Sequence, residues 1–260
     1  TYTILTIILP VIFMFHLAHN QQNTWAFDWN FFKNTVNFGL RAFISGLLGF
    51  LTIRSDIFII NALRNLNDVG LYSLAVNFTD EMFLIASSIS LVLFPHISEN
   101  QNQSLETTLK VTRTLSLFLI IILTIAMICA KPIILYLFGN NFADSIKPFY
   151  ILSIAIYFLS LCTILSQFFA SKEFPWKAVL AWIPGLLINI VLNLIWIPHY
   201  GIIAAAASSL LAYFLTFIFY YLLLQNYENI TIQDVLIPKK LEIINLKNHI
   251  ADRLKNKNGK

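Results

Sequence analysis

Seven long apolar stretches constrain the fold of this chain more than any other feature of its sequence. A helix needs about 20 mainly apolar residues to cross a hydrocarbon layer about 30 Å thick, and long stretches without strand-like alternation predict helices instead of barrel strands. We therefore expect an all-α, polytopic transmembrane helical bundle with about seven spans. The stretches run over residues 2–18, 42–63, 71–94, 114–130, 148–170, 176–197 and 201–224.

The composition agrees with this prediction and excludes several other classes of protein. The chain is 58% hydrophobic and 12% charged, whereas soluble domains average about 45–50% apolar and about 25% charged residues. An ordinary soluble enzyme, a disordered chain and a secreted disulfide scaffold are therefore excluded. Cys129 and Cys162 both lie within apolar stretches, so they indicate neither a disulfide framework nor a metal site.

The sequence lacks the motifs that carry enzyme chemistry. Its five histidines are dispersed and do not form a spaced ligand set. It has no glycine-rich phosphate loop and no Ser/His/Asp arrangement. We therefore expect a protein that is not an enzyme, with no catalytic residues, no cofactor, no metal and no nucleic-acid partner.

The distribution of positive charge predicts the orientation of the spans. Five loop cations and seven tail cations share one side of the predicted membrane, against three on the other side. Because cytoplasmic loops are enriched in Lys and Arg, the tail is predicted to be cytoplasmic. The larger group is Lys33, Lys110, Arg113, Lys172, Lys177, Lys239, Lys240, Lys247, Arg253, Lys255, Lys257 and Lys260, and the smaller is Arg64, Lys131 and Lys147.

Three parts can be predicted along the chain. The chain starts with Thr1 in an apolar stretch, without a charged n-region or cleavage site, so we interpret it as a fragment that begins in or just before a span. The tail is interpreted as solvated and basic, or as an amphipathic helix on an anionic leaflet. The parts are a helix and linker at 1–30, a membrane bundle at 31–225 and the tail at 226–260.

Four ionisable residues lie near the middle of the second and third predicted spans. They are Arg54 and Asp56, then Asp80 and Glu81. A charge at the bilayer centre costs about 2.5–3.5 kcal/mol on insertion scales, so these residues need partners or water. They are the principal candidates for a substrate path.

The geometry of the helical hairpin predicts which of them meet. Arg54 lies thirteen residues before Asn67 and Asp80 thirteen after it, so an antiparallel pair of helices places them at one depth. Arg54 is also ten residues from Arg64, roughly 15 Å along the helix axis, which is close to the midplane. Asp56 is two positions from Arg54 and points to nearly the opposite side of the helix.

Two interpretations of these charges remain open. Arg54 and Asp80 either tie two helices together, or the whole group lines a hydrated cavity for a polar or anionic substrate. The surplus carboxylates favour the cavity, and one of Asp56, Asp80 or Glu81 is then a candidate site for a coupling proton or sodium ion.

Other polar residues also have two interpretations. Asn189 and Asn193 share one face of the sixth span, after a kink predicted at Pro184-Gly185. They either line a path or form interhelical hydrogen bonds. Arg41, at the start of the second span, is either a snorkelling anchor or a contact to a lipid headgroup.

A series of degenerate motifs suggests a family. In chain order they are Asp56, Gly70-Leu71-Tyr72, Ala75, Glu81, Pro95-His96-Ile97-Ser98, Phe138-Gly139, Phe142, Gln167, Ala170, and Asn193 through Ile197-Pro198 to Gly201 and Ala204-Ala205. Over residues 31–224 the chain resembles the C-terminal half of Wzx-type polysaccharide flippases. These transporters of O-antigen and capsule repeat units belong to the multidrug/oligosaccharidyl-lipid/polysaccharide exporter superfamily. The chain departs from the last motif at Ile203, where a glycine is usual.

The resemblance implies a fold, a function and partners. Residues 31–225 are then the second six-helix bundle of a two-bundle transporter, the first span is the last helix of a first bundle missing from this chain, and the two bundles alternate in access. The expected substrate is an undecaprenyl-pyrophosphate-linked oligosaccharide, moved from the cytoplasmic to the periplasmic leaflet of a bacterial inner membrane, with membrane lipids as further partners. Arg54 is a candidate to bind its pyrophosphate or acidic sugars.

Two other functions are weighed against this one. A drug or cation antiporter of the same superfamily is favoured by the surplus carboxylates and disfavoured by Arg54. A membrane-embedded glycan polymerase or acyltransferase is expected to have a long outer loop or a clustered His/Asp/Glu constellation, and the sequence shows neither.

Overall fold

The computed structural model describes residues 28–227 and 229–238. The chain divides into two units, residues 1–37 and 38–260. In the first unit, the described residues begin with Asp28, whose Oδ1 accepts hydrogen bonds from the backbone N–H groups of Asn30 and Phe31 at 2.8 and 3.1 Å. This is an N-terminal cap for the helix that follows.

The described residues form eight α-helices. Six of them are long, and two, α5 and α8, have five residues each. Two short 3₁₀ turns, Gln101–Gln103 and Asn140–Ser145, precede α3 and α4. The helices are α1 (Trp29–Leu63), α2 (Leu66–Glu99), α3 (Ser104–Phe138), α4 (Ile146–Ser171), α5 (Trp176–Leu180), α6 (Trp182–Tyr200), α7 (Ile202–Gln225) and α8 (Ile232–Leu236).

Six segments in this part of the chain are long and apolar enough to cross a membrane. They coincide with the second to seventh predicted spans, so the prediction of an all-α, polytopic membrane protein is confirmed. The first predicted span, 2–18, lies outside the described residues, as does most of the basic tail. Helices α1 to α4 are longer than the apolar stretches that predicted them, because each helix continues into polar residues at its ends.

Short polar turns set the boundaries of the helices. Between α1 and α2, the side chain of Asn65 accepts a hydrogen bond from the backbone N–H of Asp68 at 2.8 Å, and Arg64 pairs with the Asp68 carboxylate at 2.7 Å. At the same end of the bundle, α6 and α7 are joined through Gly201, which has a φ of 64° and lies beside the guanidinium of Arg64. A residue with a Cβ rarely adopts this left-handed conformation, which explains the glycine at this turn.

The sixth predicted span is interrupted close to the kink predicted at Pro184-Gly185. The backbone is interrupted at Ala181, between α5 and α6. Pro184 has no N–H to donate to the carbonyl of Leu180, four residues earlier, and its ring crowds that carbonyl. The interruption therefore falls one turn before the proline.

The core of the bundle is built around α4, which packs against α2, α3 and α7. The side chains of Leu159, Cys162 and Leu165 are fully buried. On the neighbouring pair, Gly185 of α6 lies so close to α7 that a Cβ there would be 2.1 Å from Thr216 Oγ1. This close approach holds α6 and α7 together and brings their polar residues to one level.

The segment after α7 returns to the bundle. Arg113 of α3 is 2% exposed, and its Nη1 donates to the backbone carbonyl of Asp234 at 2.6 Å. Val235 of α8 is fully buried. Arg113, which the sequence places among the loop cations, is therefore buried within α3, and its side chain holds α8 against α3.

Candidate functional site

The first component of the site is an ion pair between neighbouring helices. Arg54 Nη2 of α1 lies 2.6 Å from Asp80 Oδ2 of α2, and the two side chains are 33% and 29% exposed. The contact predicted from equal spacing about the hairpin is therefore confirmed. Arg54 is nine residues before the end of α1 and Asp80 fourteen after the start of α2, which places the pair about 14–21 Å from the turn.

The second component is a buried network around Asp56. This carboxylate is 1% exposed. Its Oδ2 accepts hydrogen bonds from the Tyr72 hydroxyl and, at 3.0 Å, from the Ser209 hydroxyl. Its Oδ1 accepts from the backbone N–H of Ile57 at 2.8 Å. Acceptor-only carboxylate oxygens suit three donors, so these hydrogen bonds offset part of the cost of burying the group.

The network continues into α6 through Asn189 and Asn193, which are both fully buried. Asn189 Nδ2 donates to Ser209 Oγ at 3.3 Å, while Asn189 Oδ1 accepts from Ser55 Oγ at 2.7 Å and from Asn193 Nδ2 at 2.9 Å. For Asn189 the structure supports interhelical hydrogen bonds, whereas the hydrogen bond of Asn193 lies within α6. Among the described residues, Asn193 Oδ1 is buried without a hydrogen-bond partner.

A small void lies between the ion pair and the Asp56 network. It measures about 10 Å³, the space for roughly one water molecule. Its polar lining residues are Asp56, Thr79, Asp80 and Tyr213. The two components are thus neighbours, separated by the volume of a single solvent molecule.

Glu81 belongs to neither component. It is exposed on α2, on the helix face that also carries Asn77 and Leu84. The structure therefore divides the four ionisable residues among three environments and does not place them around one cavity. Asp56, in particular, is enclosed by protein and does not face an open hydrated space.

Three residues of the site were not predicted from the sequence, namely Ser55, Tyr72 and Ser209. Ser55 and Ser209 reach their partners across 134 and 153 residues, and a serine in an apolar helix more often bonds to a carbonyl of its own helix. The one sequence feature that could have indicated them is the i, i+4 pair of asparagines on α6, because buried amides require polar partners on the facing helices.

The described residues form no group of three or more His, Cys, Asp or Glu side chains that could hold a metal ion. The site is instead an ion pair and an amide–hydroxyl–carboxylate network inside a bundle of membrane-length helices. Polar groups inside membrane-length helices are rare and mark candidate functional sites.

Residues 2–147 match the family described as "Polysaccharide biosynthesis protein", and the chain belongs to this family. It is 24% identical over 190 residues to the "Probable low-salt glycan biosynthesis flippase Agl15" of Haloferax volcanii, covering 70% of this chain and 40% of that protein. It is also 29% identical over 144 residues to an uncharacterised membrane protein of Methanocaldococcus jannaschii, covering 55% of this chain and 34% of that protein. The chain therefore spans less than half the length of these relatives.

A solved structure with a similar fold is an outward-facing multidrug resistance transporter of the MATE family, in the MOP superfamily. The TM-score is 0.57 at 20% sequence identity, over 81% of this chain and 49% of that one. The likeness concerns the fold. The comparisons thus show a polysaccharide biosynthesis family for the chain and a fold shared with a membrane transporter.

Proposed function

We propose that the protein flips a lipid-linked oligosaccharide from the cytoplasmic to the outer leaflet of the cytoplasmic membrane by alternating access. In this proposal the described bundle is one of two, and the tail after α8 is cytoplasmic. Membership of a polysaccharide biosynthesis family and similarity to a glycan biosynthesis flippase support the substrate class.

The single observation that carries the proposal is the partly exposed Arg54–Asp80 pair at mid-depth in the bundle. A guanidinium binds phosphate oxygens through two parallel N–H bonds, as it binds a carboxylate. The pyrophosphate of an incoming substrate takes the place of the Asp80 carboxylate on Arg54, and Asp80 takes it back after release. Because one third of each side chain is accessible, the exchange requires no unfolding of the hairpin.

The buried network supplies a site for a coupling cation. A carboxylate and amide oxygens are the ligands that alkali and alkaline-earth cations prefer. Asp56 contributes the charge, and the buried Asn193 Oδ1 has acceptor capacity that the described residues leave unused. A proton or sodium ion bound here biases the packing of α1, α2, α6 and α7, which the network connects.

A complementation experiment tests the proposal. Full-length protein carrying Arg54→Gln should fail to restore surface polysaccharide in a strain that lacks the transporter, while its amount in the membrane is unchanged. The matched control is Arg64→Gln, because Arg64 forms an equally short pair with Asp68, but at the end of α1. Normal polysaccharide with Arg54→Gln, or equal loss with both variants, would contradict a substrate role for Arg54.

An alternative function is export of organic cations. The exposed carboxylate of Glu81 and the partly exposed Asp80 favour it. In that case Asp80 is the binding group and Arg54 only holds it in place. Arg54→Gln would then increase cation binding, whereas the flippase proposal expects loss of transport with both Arg54→Gln and Asp80→Asn.

A further inference from the structure

A groove on the surface of the bundle is separate from the Arg54–Asp80 pair and the Asp56 network. It lies between α1 and α4, has a volume of about 280 Å³, and is closed at one side by Trp182. The residues that matter most for its shape are Ala42, Gly46, Gly49, Phe50, Leu159 and Phe174. Both helices are long and apolar enough to cross a membrane.

The groove is mainly apolar, although Ser45 of α1 and Thr163 and Ser166 of α4 contribute to its wall. Thr163 Oγ1 donates to the carbonyl of Leu159 at 3.0 Å, and Ser166 Oγ donates to the carbonyl of Thr163 at 2.8 Å. These hydroxyl protons are therefore used within α4. A sugar would find few donors here, whereas an alkyl chain needs none.

Glycines keep the groove open. A Cβ on Gly46 would meet no atom within 4 Å, so open space lies beside α1 at this position. A Cβ on Gly49 would be 3.5 Å from the ring of Trp182, which is ordinary contact and marks the wall of the groove. The volume is just below the range of about 300–1,000 Å³ typical of drug-sized ligands, so one lipid chain fits better than a polyprenyl carrier.

Arg41 lies at one mouth of the groove, adjacent to Ala42. Its Nη1 makes a long hydrogen bond, 3.4 Å, to the carbonyl of Glu173, and its guanidinium carbon lies 5.9 Å from the centre of the Trp176 ring. Among the described residues, its buried Nε has no hydrogen-bond partner. A guanidinium has five N–H donors, so this cation is poorly satisfied and complementary to an anionic oxygen.

The loop that meets Arg41 is strained. Glu173 and Phe174 have φ values of 62° and 51°, which residues with a Cβ rarely adopt. The second of these residues places its side chain in the wall of the groove. Such strain persists where the surrounding structure imposes it and is concentrated at ligand clamps and switches.

We propose that this groove binds an anionic phospholipid, with the headgroup phosphate on Arg41 and one acyl chain between α1 and α4. Charge complementarity at the mouth selects an anionic lipid over a neutral one. The size and apolar lining of the groove select a single chain. Basic pockets between transmembrane helices bind anionic headgroups in this way. The site is independent of the transported substrate and goes beyond the proposed function.

Lipid binding to the purified full chain tests the headgroup contact. Native mass spectrometry counts bound dioleoylphosphatidylglycerol and dioleoylphosphatidylethanolamine, which differ only in the headgroup. Arg41→Gln should weaken binding of the anionic lipid about fivefold, which corresponds to about 1 kcal/mol for one basic residue near an anionic surface. The control Lys110→Gln removes an exposed cation from α3 and should leave binding unchanged.

Filling the groove tests the chain contact. Gly46→Leu should abolish selective binding while the melting temperature without lipid is unchanged, because nothing lies within 4 Å of the new Cβ. Gly70→Leu is the matched control, since Gly70 on α2 also has free space around it. Fluorescence quenching needs no variant. Phosphatidylglycerol with brominated acyl chains should quench tryptophan fluorescence more strongly than brominated phosphatidylethanolamine does, because Trp182 lines the groove.

Three results would overturn the proposal. The first is equal binding and equal quenching by the two lipids, which would exclude recognition of the headgroup. The second is an equal loss with Lys110→Gln and Arg41→Gln, which would indicate diffuse charge. The third is unchanged lipid binding by Gly46→Leu, which would place the acyl chain elsewhere.

Discussion

Replacing Asp56 separates the structural role of the buried network from its role in ion coupling. The carboxylate accepts three hydrogen bonds, two of them at Oδ2 from Tyr72 and Ser209 and one at Oδ1 from Ile57. Asn has one carbonyl oxygen, which can keep the two hydroxyl donors. Its amide then faces the Ile57 N–H, so Asp56→Asn loses one hydrogen bond.

The expected free energies of unfolding follow from this count. One lost hydrogen bond costs about 1 kcal/mol, and Asn avoids the cost of burying an ionised group, so Asp56→Asn should destabilise the protein by no more than about 1.5 kcal/mol. Asp56→Ala leaves the fully buried hydroxyls of Tyr72 and Ser209 without an acceptor. At about 1–3 kcal/mol for each hydroxyl, the expected loss is about 2–6 kcal/mol.

Reversible unfolding in mixed detergent micelles measures both losses, and cation-driven transport in vesicles measures the function. Asp56→Asn should be nearly as stable as the wild type and yet fail to couple transport to an ion gradient. Equal destabilisation by Asn and Ala would refute the hydrogen-bond count. Coupled transport by Asp56→Asn would refute the assignment of the ion site.

Three further predictions concern contacts between helices. Arg54→Gln and Asp80→Asn together should destabilise less than the sum of the single changes, by about 0.5–3 kcal/mol in a double-mutant cycle of unfolding, and additivity would show that they do not interact. Gly185→Ala should cost about 1–3 kcal/mol from overpacking. Adding Thr216→Ala to Gly185→Ala should recover only part of this lost stability, because the Ala212 carbonyl is also 2.8 Å from the new Cβ at residue 185. Full recovery would contradict this geometry. Arg113→Ala should release α8, observed as faster proteolysis after residue 229, and an unchanged rate would argue against its holding role.

The fold and the ion pair could be predicted from the sequence because both depend on local regularities. Apolar stretches of membrane length fixed the number of described spans. Counting outward from the turn placed Arg54 opposite Asp80, since two antiparallel helices joined by a short turn keep equal distances from it. The i, i+4 spacing likewise placed Asn189 and Asn193 on one face.

The Asp56 network could not be predicted, because its partners come from helices distant in the chain. Nothing near Asp56 in the sequence indicates that Ser209 meets it, and hydropathy does not show how α6 and α7 are rotated against α1. The burial of Arg113 was missed for a related reason. The enrichment of Lys and Arg in cytoplasmic loops is judged from the position of each cation along the chain. The side chain of Arg113, however, packs beneath the segment that returns after α7.

The most direct test of the flippase proposal is translocation in vesicles of defined lipids. Full-length protein, a lipid-linked oligosaccharide and a cationic dye are compared under the same ion gradient, with Arg54→Gln as a second sample. We predict movement of the lipid-linked oligosaccharide to the opposite leaflet, its loss with Arg54→Gln, and no transport of the dye. Transport of the dye without the oligosaccharide would contradict the proposal.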